Sequence, residues 1–170
     1  MRRLTVPAGE HAALVAAILE HRATFRFVAG GRSMRPFIRP GDVVTAERAD
    51  SAALRPGDVI LYRSGRGEVT AHRVFRVRRE GGEPVFVARG DASPGTRERV
   101  PADRILARIV SLRRGARTID LSAPTRRRTA LARSRAAAGR FAAIASFRRA
   151  LSRLAGAVRP SGPREKRECG

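Results

Sequence analysis

The first group in this sequence with a chemistry open to it is a serine after a pair of glycines, in Gly30-Gly31-Arg32-Ser33-Met34-Arg35-Pro36. Glycine lets the backbone approach a bound peptide closely, and Met-x-Pro fixes the exit of the chain. A serine hydroxyl is a poor nucleophile until a neighbouring base takes its proton. Three histidines are available, His11, His21 and His72. The first two fall on a helical pattern near the N-terminus, where solvent is their natural surrounding. His72 lies in a β-rich run, Ala71-His72-Arg73-Val74. An imidazole with a pKa near ~6.5 can accept a proton at neutral pH, so Ser33 with His72 is the candidate pair for nucleophilic chemistry at a carbonyl. Both also have a structural reading, Ser33 as a turn residue and His72 as a strand residue bonded to a backbone carbonyl.

The elements that must hold such a pair can be read from periodicity. Residues 8–22 form a helical pattern with Leu14, Ile18 and Leu19 on one stripe and Pro7 near its start. Between Thr24 and Leu121 the pattern changes to short β-rich runs: TFRFVA, DVVTAE, DVILYR, EVTAHRVFRV, PVFVAR, RILARIVSL and RTIDL. Gly, Pro and Asp clusters separate them. Glu80-Gly81-Gly82-Glu83 is a hairpin signal. Arg39-Pro40-Gly41-Asp42-Val43-Val44 recurs as Arg55-Pro56-Gly57-Asp58-Val59-Ile60. Pro-Gly suits the centre of a type II turn, so Asp42 and Asp58 read as turn residues that launch strands.

Charge is distributed unevenly over the 170 residues, whose formal net charge is +21. Residues 1–112 carry 20 basic and 12 acidic side chains, net +8, and residues 113–170 carry 16 and 3, net +13. Lys166 is the only lysine and arginine supplies the rest. The tail reads as an Ala- and Arg-rich helix from about Thr129 to Val158, with Phe141, Ile144, Phe147, Leu151, Leu154 and Val158 on one apolar stripe. Its last dozen residues have a disordered composition. One cysteine, Cys169, excludes an intrachain disulfide and a cysteine-based zinc site. No apolar run approaches the ~20 residues that a membrane span requires, and the longest, Ala12 to Leu19, follows acidic Glu10, unlike a signal peptide.

Taken as an ordered set, SMRP with its Gly-Asp, the second Gly-Asp in GDVILY, the AHRV strand, the RGDA turn and RILARIV resemble the type I signal peptidases and the related peptidase domains of LexA-like repressors. The resemblance covers roughly residues 24–121. It implies a compact coiled β-sheet, with Ser33 as nucleophile and backbone N–H groups around it as the oxyanion hole. Bacterial leader peptidases and LexA-like proteins pair this serine with lysine, whereas the archaeal and endoplasmic-reticulum branch uses histidine. His72 and the absence of lysine from the β-region place the likeness with the Ser/His branch. The family's Gly-Asp falls on Asp91, but its second aspartate position falls on Arg97, with Glu98 beside it. Asp91 is the candidate to orient His72, and Glu98 the alternative. Gly31 lacks the hydroxyl that many bacterial relatives place two residues before the nucleophile.

The expectations are therefore a mainly β protein with three parts. Residues 1–23 hold an N-terminal helix, 24–122 the signal-peptidase-like β catalytic domain, and 123–170 an Arg-rich, amphipathic helical tail. The expected activity is that of a serine endopeptidase, cleaving a peptide or preprotein after small residues with Ser33, His72 and Asp91, and requiring no metal or cofactor. The rival is a catalytically inactive peptidase fold that binds nucleic acid or serves as a scaffold through its basic tail. Against nucleic acid, arginines alone give no reason for a continuous apolar face. Residues 129–158 are instead expected to contact an anionic membrane surface or to pack on the β-domain, in a protein that is cytoplasmic or peripheral at the membrane.

Overall fold

Both Arg-Pro-Gly-Asp segments fold as the sequence requires. Gly41 and Gly57 adopt φ of 90° and 101°, Asp42 N–H bonds to the Arg39 carbonyl and Asp58 N–H to the Arg55 carbonyl, each at 3.1 Å. These are type II turns, with Pro at the second position and a left-handed Gly at the third. Each aspartate closes its turn a second time, because Oδ2 accepts from the N–H of Arg39 or Arg55 at 2.8 and 2.7 Å. Both carboxylates also take an arginine from far along the chain. Arg114 binds Asp42 at 2.7 Å, and Arg127 binds Asp58 at 3.3 Å. The near-repeat thus makes two buried anchors for later chain, and the Arg114 guanidinium holds the Asp42 carboxyl below its usual range.

A computed structural model describes residues 11–93 and 95–139 of the chain. Helix α1 (His11–His21) leads into strands β1 (Thr24–Val28), β2 (Val43–Arg48), β3 (Val59–Arg63), β4 (Val69–Glu80), β5 (Glu83–Arg89), β6 (Glu98–Pro101), β7 (Ile105–Arg114) and β8 (Arg117–Asp120). All pairings are antiparallel, in the order β1-β2-β7-β3-β4-β5-β6, and β8 also pairs with β7. The sheet curls into a half-barrel. The mainly β expectation holds, with seven of the eight strands on the predicted runs. Strand β6 was not expected. Its four residues, Glu-Arg-Val-Pro, bury only Val100 and have too short an alternation to stand out. At the β4–β5 hairpin, Gly81 and Gly82 both have positive φ, 59° and 88°, and Glu80 pairs with Glu83. That is the two-residue type I′ turn that matches strand twist.

Alternation divides the core. Val44, Ala46, Val59, Leu61, Ala107, Ile109 and Leu112 pack on one side with Leu19 of α1 and with Met34 and Ile38. Ile60, Tyr62, Val74, Phe86, Ala88 and Val100 form a second cluster with Leu54. Each fully buried Leu, Ile or Phe contributes about 1.5–3 kcal/mol relative to exposure.

Residues 124–139 are helical and form α2. The start lies at Pro124, five residues before the expected Thr129, and suits a residue whose missing N–H costs nothing in a first turn. Ala130, Leu131 and Ser134 of α2 are buried, so this stretch of the tail packs on the β-domain. The apolar stripe from Phe141 to Val158 lies outside the described residues, as do residues 1–10. Among the described residues no helix is long and apolar enough to cross a membrane.

Docking of α2 depends on Gly57. A Cβ there would stand 2.5 Å from Arg127 Cγ and 2.8 Å from the Arg127 carbonyl oxygen, at a φ that side chains rarely adopt. Gly57→Ala is expected to cost about 1–3 kcal/mol in denaturant unfolding. It should also expose Arg126–Arg128 to faster tryptic cleavage under native conditions.

Candidate active site

Ser33 follows β1 in a tight bend. Arg35 N–H bonds to the Arg32 carbonyl at 3.2 Å and Ile38 N–H to the Met34 carbonyl at 2.9 Å. Met34 and Ile38 are 3% and 4% exposed, so burial of the residues just past Ser33 pins the bend to the sheet. The loop after β5 closes over it. Ala92 N–H donates to the Ser33 carbonyl at 2.8 Å. A Cβ on Gly90 would lie 2.7 Å from that carbonyl oxygen, 3.1 Å from Ser33 Cβ and 3.2 Å from His72 Nε2. Ser33 and the His72 ring thus flank one small space over Gly90, a close approach that only the missing side chain permits. Among the described residues, Ser33 Oγ makes no direct hydrogen bond to His72.

Register explains what touches the other side of the ring. His72 on β4 pairs with Ile60 on β3, and Tyr62 pairs with Thr70. Tyr62 therefore sits diagonally from His72 on the same face, within reach of a long side chain. Its hydroxyl lies 2.9 Å from His72 Nδ1 and donates to Glu98 Oε2 at 2.6 Å. Glu98 is held in turn by the Gly65 N–H, 3.2 Å from Oε1. The phenol has one proton, and the carboxylate takes it. Nδ1 must then carry the ring proton and donate to the phenol oxygen, which leaves Nε2, the nitrogen facing Ser33, with a free lone pair. Burial and the Glu98 carboxylate hold the Tyr62 phenol protonated far above its ordinary range. Burial lowers the His72 pKa below 6.5, partly offset by the negative charges of Glu98 and Asp91, so the ring is neutral at pH 7.

Asp91 corrects the sequence expectation. Its carboxylate does not meet the His72 ring. Both its oxygens are taken by Arg73, which donates from Nε at 3.0 Å and Nη2 at 2.7 Å. The physical reason is alternation: residue 73 points away from the face that residue 72 occupies, and Asp91 follows the arginine. The pair is nearly dry, with side chains 3% and 7% exposed. Arg73 also donates to the Gly57 carbonyl at 2.8 Å and lies 4.5 Å from the centre of the Phe37 ring. Glu98, the alternative carboxylate, reaches His72 only through Tyr62.

Sequence reasoning passed over Tyr62 and Arg73. Tyr62 is the sole tyrosine and lies two residues past Ile60 in DVILYR. Once β3 and β4 are paired as neighbours, a same-face diagonal to His72 could have identified it. Arg73 gave no signal among so many arginines. No family model matches this chain, and no curated protein matches it.

Nitrogen-15 NMR of His72 should show the proton on Nδ1 and a pKa below 6.5. Glu98→Gln should move that pKa lower still, since a carboxylate that favours imidazolium is gone, and Tyr62→Phe should release the tautomer preference. Asp91→Ala should instead cost about 3–5 kcal/mol of stability by stranding a buried guanidinium, with the residual folded protein keeping the His72 tautomer.

Proposed function

We propose that this protein is a serine endopeptidase of the signal-peptidase kind, acting through Ser33 and His72 on a peptide or preprotein with small residues before the cleaved bond. The observation that supports the reading is the two-sided placement of His72, with Nε2 and the Ser33 side chain flanking one space over Gly90 and Nδ1 beside the Tyr62 hydroxyl, which donates to Glu98. A histidine satisfied by backbone alone would have no use for that arrangement. The family resemblance of the ordered motifs supplies the substrate class and the preference for small residues.

In the proposed reaction Ser33 Oγ attacks the scissile carbonyl while Nε2 takes its proton. The charge that appears on the ring is stabilised through Tyr62 by Glu98, at a distance and without transfer of a proton to the carboxylate. The tetrahedral oxygen would be met by the N–H groups of Ser33 and Met34, which make no hydrogen bond to an internal acceptor among the described residues. Collapse breaks the C–N bond, and the imidazolium returns its proton to the leaving amine. Water, activated by the same nitrogen, then hydrolyses the acyl-serine.

Because the base must be neutral, activity should be lost as pH falls through the His72 pKa. The acid limb should lie below 6.5, with a plateau by neutrality. Ser33→Ala should abolish cleavage of a small-residue peptide with the fold intact by circular dichroism, and Tyr62→Phe should lower kcat by about 10²-fold. Unchanged turnover in Ser33→Ala would remove Ser33 as nucleophile, and no turnover by the native chain would favour an inactive peptidase fold. A rate still climbing steeply above neutrality would remove His72 as base.

A further inference from the structure

Strand β4 carries one residue too many for its partner. Val74 pairs with Ala88 and Arg76 with Val87, which leaves Phe75 in a bulge, and a bulge re-aims the side chain it inserts. The Phe75 ring collects three guanidinium groups from three different elements. Arg89, at the end of β5, lies 4.5 Å from the ring centre. Arg97, in the loop before β6, and Arg135, on α2, each lie 5.3 Å from it. Arg89 is buried and donates to the Ser134 carbonyl and hydroxyl at 2.6 and 2.7 Å. Arg97 and Arg135 are exposed, and among the described residues no carboxylate pairs with either. Their guanidinium carbons lie no further apart than twice their distance from the ring.

A single aromatic ring offsets little of the mutual repulsion of three cations, since an exposed cation–π contact is worth about 0.5–1 kcal/mol. The Arg89 guanidinium loses basicity to burial and then to the positive charge of Arg97. The negative charge of Asp91 acts on Arg89, but among the described residues Arg97 and Arg135 have no carboxylate partner. Guanidinium groups bind phosphate through paired N–H donors, with charge assistance that neutral contacts do not have.

We propose that Arg97 and Arg135, with Phe75 as a platform and Arg89 fixed at the ring, form a binding site for a phosphate or pyrophosphate group. The site is independent of the peptidase reading, and it uses the arginine that stands where the family resemblance expects an aspartate. The group could come from a soluble phosphate compound or from a phosphomonoester lipid headgroup, and the probes separate the two. Inorganic pyrophosphate is titrated calorimetrically into the full chain at constant ionic strength. Phosphatidylcholine vesicles with and without phosphatidic acid are tested by co-sedimentation. The variants are Arg97→Gln, Arg135→Gln and, as a control for net charge, Arg133→Gln, which sits exposed two positions away on α2.

The expected result is saturable one-site binding of pyrophosphate, weakened about tenfold or more by Arg97→Gln and by Arg135→Gln and unchanged by Arg133→Gln. The same variant pattern in phosphatidic acid vesicles, with pyrophosphate inert, would assign the site to a lipid headgroup. Equal weakening by all three variants, or no binding of either probe, would overturn the proposal.

Discussion

The buried ion pair of Arg73 and Asp91 is the constraint on which the candidate site depends. One guanidinium ties four pieces of chain: its own strand β4, the Gly90–Ala92 loop through Asp91, the turn before β3 through the Gly57 carbonyl, and the segment after Ser33 through Phe37. Those pieces carry His72, the loop over Ser33, the docking point of α2 and the bend that holds Ser33. An ion pair this dry has little net value over a well-packed apolar substitute. Its use is directional. A fork of fixed donors can specify where a loop sits to a fraction of an ångström, and Gly90 has to pass between Ser33 and His72 with no room for a methyl group.

Opposite demands fall on the two neighbouring residues of β4. His72 keeps Nε2 at the space over Gly90, whereas Arg73 gives its guanidinium to Asp91 and the Gly57 carbonyl in a nearly dry site. Strand alternation delivers both from adjacent positions. The same economy appears in the Arg-Pro-Gly-Asp turns, where one carboxylate closes its own turn and also receives Arg114 or Arg127 from the C-terminal part of the chain. The turns thus add polar anchors for β7 and α2 to the apolar burial of Ala107, Ile109, Leu112, Ala130 and Leu131.

Much of this was legible in the sequence because the signals are local. The two Pro-Gly-Asp turns, the Gly-Gly hairpin and seven strands follow from backbone preferences within a few residues. Placing Ser33 near His72 drew on the ordered set of motifs, since nothing local connects residues 39 positions apart. Asp91 was misread because its partner depends on which face of β4 each residue occupies, and pairing registers are not written in one strand alone. Strand β6 escaped notice because its alternation is shorter than a helical turn can be distinguished from. The Phe75 cluster depends on a bulge, which breaks the period-two rule from which an inward or outward side chain would be inferred.

Positions 97 and 98 show what a one-residue difference in parity can do. Consecutive residues entering β6 point to opposite sides. With arginine first and glutamate second, the carboxylate lands on Tyr62 and the guanidinium on Phe75. The carboxylate is then one side chain too far from the imidazole to touch it, and the tyrosine spans the difference. A phenol suits that place because burial beside a carboxylate keeps its proton fixed. It can hold the ring tautomer without competing for the proton that Nε2 would accept. The arginine, turned outward by the same parity, joins a cationic cluster that a carboxylate at that position would have neutralised. Catalytic orientation and anion recognition would thus be set by the order of two adjacent residues.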